Sequence, residues 1–384
     1  MKKIPLLIFF VAAFSLYSQE LSGILDSTVN YSYTDASPCN SFGLEEYANL
    51  RLKIPAGEKV TVYAAFNAAA VAGNYLSNAA ALAGTYPVPF NGSTSFIYGN
   101  NYAAALELER LYFRVNGDYI DAEAGLLRLN FGYGQVWGSS DFLNSHNPFS
   151  SNARPRGILG GDFSFYPTDT LKLLFFTAAP SDPLESGGGG FIPGFTLDQH
   201  WDFASLQFLY SYQTPLAGSG YGLHRFGLSI KGDIAVGMVT DMLYTLNPAS
   251  SDGIDGLSAS AGFDYSFAGG DFYTLWEYLY NGSASSTSLN GTGVLQNHHY
   301  LYGSILYRIN DYTRTGFSTI YCFDSPSFSH SIYAEYDIYQ GLTLNLNARI
   351  PMDLNFINGV REGELGPART GTRITAELGA RLRF

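Results

Sequence analysis

From residue 20 onward the chain is written in a period of two. Over 374–384 the even positions read Ile, Ala, Leu, Ala, Leu and Phe, and the odd positions Thr, Glu, Gly, Arg and Arg. Such alternation predicts a strand with one apolar and one polar face. Leu342, Leu344, Leu346, Ala348 and Ile350 interleave in the same way with Thr343, Asn345, Asn347 and Arg349, and Ile332, Ala334, Tyr336 and Ile338 with Ser331, Tyr333, Glu335 and Asp337. Upstream, Phe226, Leu228 and Ile230 oppose Arg225, Gly227, Ser229 and Lys231, while Leu257 to Phe267 runs apolar against Ser258, Ser260, Gly262, Asp264 and Ser266. Strands are predicted near 20–34, 43–54, 59–69, 102–115, 119–130, 157–166, 171–178, 200–212, 221–231, 233–245, 256–267, 271–280, 299–309, 313–323, 327–338, 341–350 and 372–384. Near Arg110 the alternation slips, which predicts a bulge.

Tight connections such as Asn116-Gly-Asp118, Lys231-Gly-Asp233 and Ala268-Gly-Gly-Asp271 carry hairpin-turn chemistry. They alternate with long Gly/Ser/Asn/Pro stretches near 70–101, 131–156, 180–188, 281–298 and 351–371. Short turns at one end and long loops at the other are the plan of a transmembrane barrel, whose strands present one face to lipid and one to a wet lumen. Keeping all tight turns at one end requires one more crossing between 178 and 200, for which Phe191-Ile-Pro-Gly-Phe-Thr-Leu197 is the candidate. The expected fold is therefore all-β: a transmembrane antiparallel up-and-down β-barrel of about 18 strands, with 16 as the alternative. Patterning begins by residue 20, which leaves no room for a plug or hatch domain before the barrel.

The N-terminus agrees with that compartment. Met1-Lys-Lys followed by the apolar run Ile4–Ala13 reads as a secretory signal peptide over 1–18, leaving 19–384 as the barrel. The ending at Phe384 resembles the C-terminal signal of Gram-negative outer-membrane barrels, a resemblance that implies insertion by the barrel-assembly machinery into outer-membrane lipid.

Composition sharpens the picture. Without Lys2 and Lys3 the chain holds 19 basic against 33 acidic residues, a charge of −14, which excludes a nucleic-acid partner. Mean hydropathy is zero, as expected where an apolar exterior surrounds a polar interior. The 29 Tyr and 28 Phe suit two aromatic girdles at the membrane interfaces; the rival for such a composition is a secreted Tyr-rich β-sandwich or propeller. Cys39 and Cys322 are too few for a disulfide scaffold, and both are placed at the outer end, where the question is whether they approach each other.

Candidate chemistry lies on the polar faces. Arg225, Lys231, Asp264, Glu335, Asp337, Arg349, Arg373, Glu377 and Arg381 are expected to face the lumen, where charge sets selectivity or else pairs across strands to brace the wall. Glu107, Glu109, Arg110, Arg114, Asp121, Glu123 and Arg128 form a second charged group on a hairpin. The segment 125–148 that follows, with Gly125, Arg128, Trp137, Gly138, Asp141, Asn144 and Pro148, resembles a stretch of the alginate-export-like porin families. Two leucines separate Gly125 from Arg128, and Ser145-His146 interrupts the motif. The resemblance implies a barrel that passes carbohydrate or small anionic solutes. The long loop with Trp137, Asp141, Arg154 and Arg156 either folds inward as a constriction or caps the outer rim.

Enzymatic patterns are incomplete. His330 with Ser329 or Ser331 lacks the context of an outer-membrane phospholipase, Asp141 and His146 lack the second acidic pair of an omptin-like protease, and His298-His299 points to opposite faces of a strand. No catalytic residue, metal or cofactor is assigned. The expected function is an outer-membrane porin for passive diffusion of small hydrophilic solutes; the alternatives are a surface adhesin or lectin-like barrel with an occluded lumen, and an outer-membrane hydrolase. Oligomeric state is left open.

Overall fold

The computed structural model describes residues 20–34, 39–73, 94–99, 101–143, 157–179, 190–215, 221–248, 253–282, 295–354, 363–367 and 372–384. The expected leader 1–18 and the loop residues Arg154 and Arg156 lie outside the described residues.

Among the described residues nineteen strands follow one another. The first half comprises β1 (Glu20–Thr34), β2 (Asn40–Pro55), β3 (Val60–Gly73), β4 (Thr94–Tyr98), β5 (Tyr102–Asn116), β6 (Ile120–Leu127), β7 (Ile158–Thr168), β8 (Leu171–Ala179), β9 (Ile192–Trp201) and β10 (Ala204–Gln213). The second comprises β11 (Leu223–Asp233), β12 (Gly237–Leu246), β13 (Leu257–Phe267), β14 (Phe272–Asn281), β15 (His299–Arg308), β16 (Thr313–Cys322), β17 (Ser327–Tyr339), β18 (Leu342–Asp353) and β19 (Thr372–Arg383). Apart from β4 each strand pairs antiparallel with its neighbours, and β19 returns to β1 from Ile24↔Arg383 to Thr34↔Thr372. Eighteen strands thus close the wall. The additional crossing expected at 191–197 is β9, whose Pro193 sits near its start, where loss of a ladder donor costs least.

Alternation decides which side chains meet which medium. Leu21, Leu25, Val29 and Tyr33 of β1 and Ile374, Leu378 and Leu382 of β19 are exposed on the outer surface. Their neighbours Asp26 and Thr28 are buried on the luminal side. At the seam Phe384 exchanges backbone hydrogen bonds with Gly23, of 2.8 and 3.1 Å. The bulge expected near Arg110 is present: Ala65 faces Arg110 and Phe66 faces Leu108, so Glu109 is the extra residue. Without it the outward Leu106 and Leu108 and the outward Leu111 and Phe113 would fall on opposite faces.

Two features depart from the even pattern. β6 stops at Leu127, three residues before the expected end, because the chain leaves the wall there and turns inward. β4, inside a segment expected to be loop, hydrogen-bonds to β5 from Thr94↔Glu107 to Tyr98↔Ala103, above the stretch where β6 pairs with it. It covers an edge that would otherwise be bare. The two cysteines are free: Cys39 is exposed in the β1–β2 connection, while Cys322 is fully buried on the luminal side of β16, so they do not meet.

Candidate functional site

The inward turn after Leu127 builds the interior of the molecule. Residues 128–143 run along the luminal face of the wall, and Leu127, Leu129 and Phe131 pack against Leu174 and Phe176 of β8, Ile192 of β9, Leu209 of β10 and Leu243 of β12. Phe131 stacks on Phe142 at 5.6 Å and lies 4.8 Å from Phe176. An apolar core inside a barrel requires apolar luminal residues, and β8 supplies them by reading Leu-Leu-Phe-Phe on both faces.

Two buried carboxylates then hold the insert's backbone. Asp241 of β12 accepts the amides of Tyr133 (2.9 Å) and Gly134 (2.8 Å), and Gln207 of β10 accepts that of Gly132 (2.7 Å). Glu277 of β14 accepts the amides of Gln135 (3.2 Å), Val136 (2.9 Å) and Trp137 (3.3 Å), and its carbonyl takes the Trp137 indole N–H at 3.0 Å. Successive amides converging on a carboxylate form an anion cradle, and both side chains are fully buried. Glycine is needed here: a Cβ at Gly132 or Gly134 would lie 2.5 or 2.8 Å from an Asp241 oxygen, and Gly132 adopts φ +82°. Each charge-assisted bond is worth about 1.5–3 kcal/mol, so the six-residue stretch 132–137 is strongly fixed.

Further along, Trp137 packs 6.0 Å from Tyr300 in a second apolar cluster with Leu279, Leu295, Ile320, Cys322 and Leu365. Above it Glu364, from the β18–β19 connection, accepts from the Tyr300 hydroxyl, the Asn297 side chain and the Gln296 amide. The insert therefore joins the outer loops to the wall.

The consequence is an eccentric interior. Luminal residues of β8–β14, among them Thr196, Gln207, Ser229, Asp241, Ser260 and Glu277, are buried by the insert. On the other side of the lumen, Asn30 of β1, Glu335 of β17, Asn345, Asn347 and Arg349 of β18 and Glu377 of β19 keep partial solvent exposure. That wall is charged and amide-rich. Asn49 donates to Asn67 and Glu109 at 2.6 Å each, Asn67 donates to Glu107, Arg110 pairs with Glu109, and Arg114 pairs with Glu123.

The sequence-predicted residues fall into four groups. Trp137 and Asp141 lie in the insert, both nearly inaccessible. Arg225 is 4% exposed, with its guanidinium 4.7 Å over the Phe142 ring and Nη2 donating to Gln213, so it supports the insert; Asp264 accepts from the Gln135 side chain. Glu335 pairs with Arg314, Asp337 accepts from Thr343, Glu377 accepts from Asn347, and Arg381 makes a two-pronged pair with the buried Asp26 across the closing seam. Arg349 sits half-buried opposite Thr375, while Lys231 and Arg373 are exposed near opposite ends of their strands. The acidic residues of β17 do not pair with the arginines of the last two strands. Asp241, Glu277 and Gln207 were absent from the expected site, although Asp241 and Glu277 each stand alone among apolar residues without a basic neighbour in sequence, which is a legible signal.

Enzyme-like pairs come apart. His330 faces outward between Phe317 and Phe328, whereas Ser329 faces the lumen, and no cluster of three or more metal-ligating side chains occurs among the described residues.

No protein-family model matches the chain, and no curated protein does. Solved structures do. Pseudomonas aeruginosa OccK9 (OpdG) superposes with a TM-score of 0.60 at 10% identity, covering 96% of this chain and 99% of that one. Acinetobacter baumannii OccAB3 gives 0.56 at 12% identity over 96% and 99%, and Pseudomonas aeruginosa OccK7 (OpdD) 0.54 at 11% over 95% and 99%. Nothing in these matches bears on the alginate-export-like resemblance, which rests on residues 125–148 alone. End-to-end coverage at such low identity is a likeness of architecture: by fold this chain is an 18-stranded antiparallel β-barrel like those of the outer-membrane porins it superposes on.

Proposed function

We propose that the protein is a passive outer-membrane channel for small hydrophilic solutes, of the carbohydrate or small-anion class, and has no enzymatic role. One observation carries this reading: the insert fills the lumen against β8–β14 and leaves a solvated wall of amide and charged side chains across from it. A narrow eccentric passage with hydrogen-bonding walls replaces part of a solute's hydration shell while excluding larger molecules. Arg110 and Arg128 at the root of the insert, with Arg349 and Arg373 toward the outer end, are the residues proposed to favour anions. Residues 1–18 are proposed to direct export, and the barrel-assembly machinery to insert the chain.

Swelling of proteoliposomes in sugars and carboxylates of graded size tests the proposal. Rates should fall steeply with solute size and exceed those of protein-free vesicles. Equal rates with and without protein would refute passive transport.

A further inference from the structure

On the solvated side of the lumen two tyrosines stand side by side. Tyr63 of β3 shares luminal parity with the buried Asn67, and the register sets it opposite Tyr112 of β5. Their ring centroids are 5.2 Å apart, with the planes inclined by 32°. Both residues are half-buried, and Tyr112 leans on the apolar cluster at the root of the insert. The pair lies near the tight-turn ends of β3 and β5, below the point where the chain leaves β6.

The register extends this pair into a step. Its row runs from Lys53 of β2 through Tyr63 and Tyr112 to Gly125 of β6 and Gly160 of β7, two positions that contribute no side chain. Next in the row, Ala178 of β8 is buried in the insert's core. A luminal aromatic step with bare wall beside it offers room for a ring laid against the tyrosines.

Polar groups border the step on its other sides. One row towards the tight turns Arg114 pairs with Glu123. One row outward Arg110 pairs with Glu109 at 3.3 Å, and Arg51 donates to Asn49 at 2.6 Å. At the β2 end Lys53 pairs with Glu20 at 3.1 Å. Guanidinium and carboxylate side by side offer donors and acceptors together, which suits a rim of hydroxyls. A simple anion would make no use of the two aromatic faces, and an apolar ring would desolvate the ion pairs without replacing their water.

We infer that the Tyr63–Tyr112 step is a binding subsite for the pyranose ring of a sugar. The C–H face of the ring packs on the phenol rings, and Arg51, Arg114 and Glu123 exchange hydrogen bonds with its hydroxyls. This subsite rests on the channel reading and narrows its solute to sugars.

Single-channel current in a planar bilayer tests the subsite with two probes, glucose and sorbitol, which are similarly rich in hydroxyls although only glucose closes into a ring. Glucose should block the native channel at lower concentration than sorbitol. Tyr63→Leu with Tyr112→Leu should weaken the glucose block by about tenfold, to the sorbitol level, as loss of two aromatic faces implies. Tyr63→Phe with Tyr112→Phe keeps the faces and should keep the block. Heat-modifiable gel mobility shows whether each variant is folded, and a pair that only braces the wall would change that mobility while leaving the two probes as they were. Equal effects of glucose and sorbitol on the native channel, or undiminished glucose block in a folded leucine variant, would overturn the subsite and leave the channel standing. The native comparison alone decides if the leucine variant fails to assemble. Absence of current from the native protein would remove the channel reading and the subsite together.

Discussion

At the scale of single residues, the interior is organised by acids that stand alone in the sequence. Asp241 and Glu277 are buried without a cation, and what they hold is backbone: the amides of residues 133–137. Removing such an acceptor leaves its donors unsatisfied and costs more than the bonds were worth. Glu277→Ala strips three amides of their partner, and the insert should open more often by about 3 kcal/mol, near a hundredfold in population. Maleimide labelling of Ser140→Cys, a position with no exposure, reads this directly in a background with Cys39→Ser and Cys322→Ala, since Cys322 packs in the cluster that Trp137 of the insert covers. Labelling should accelerate by about two decades in the Glu277→Ala variant, and an unchanged rate would mean the apolar core alone fixes the insert. Alternation assigns the charged residues to one face of each strand, because the face of a strand residue depends only on parity. Which charges pair was not legible: Arg381 finds Asp26, 355 positions away in the chain, and Glu335 finds Arg314 rather than a residue of the last two strands.

At the scale of elements, the wall follows from period-two patterning, and its irregular parts follow from the insert. The bulge at Glu109 was readable because a one-residue slip moves every later side chain to the other face. The early end of β6 was not, since Arg128-Leu-Asn continues the strand pattern locally while Leu129 and Phe131 find a better core inside the barrel. β4 escaped for a related reason: its five residues pair only with β5 and become a strand because β6 has left that edge uncovered. The seam between β1 and β19 is the element on which closure depends. Arg381→Ala would leave Asp26, 4% exposed, as an unpaired buried charge, at a cost of about 3–5 kcal/mol. The temperature at which the folded form disappears on a gel should drop, and Asp26→Asn in the same background should recover part of the loss. If Arg381→Ala melts like the parent, Arg381 belongs to solute selection and not to the seam.

At the scale of the whole molecule, the barrel is asymmetric in two senses. Inside, the insert packs against strands from β8 to β16, while luminal residues such as Asn30, Glu335, Asn345, Asn347, Arg349 and Glu377 on β1 and β17–β19 keep partial exposure. Outside, alanines of β2, β3 and β5 surround the single outward carboxylate of Glu46 among the described strand residues. On the proposed reading the first asymmetry makes a narrow channel from a wide barrel: eighteen strands alone would enclose an aqueous bore, and the segment pinned by Asp241 and Glu277 narrows it. The central claim is that a passage remains beside the insert and that the insert sets its width. Single-channel recording in a planar bilayer tests it most directly, comparing the native protein with a variant in which residues 132–140 are replaced by a short Gly-Ser link. The account predicts steady ohmic current from the native protein and a larger unit conductance from the variant. No current from the native protein, with current appearing only once the insert is removed, would contradict it and identify an occluded barrel.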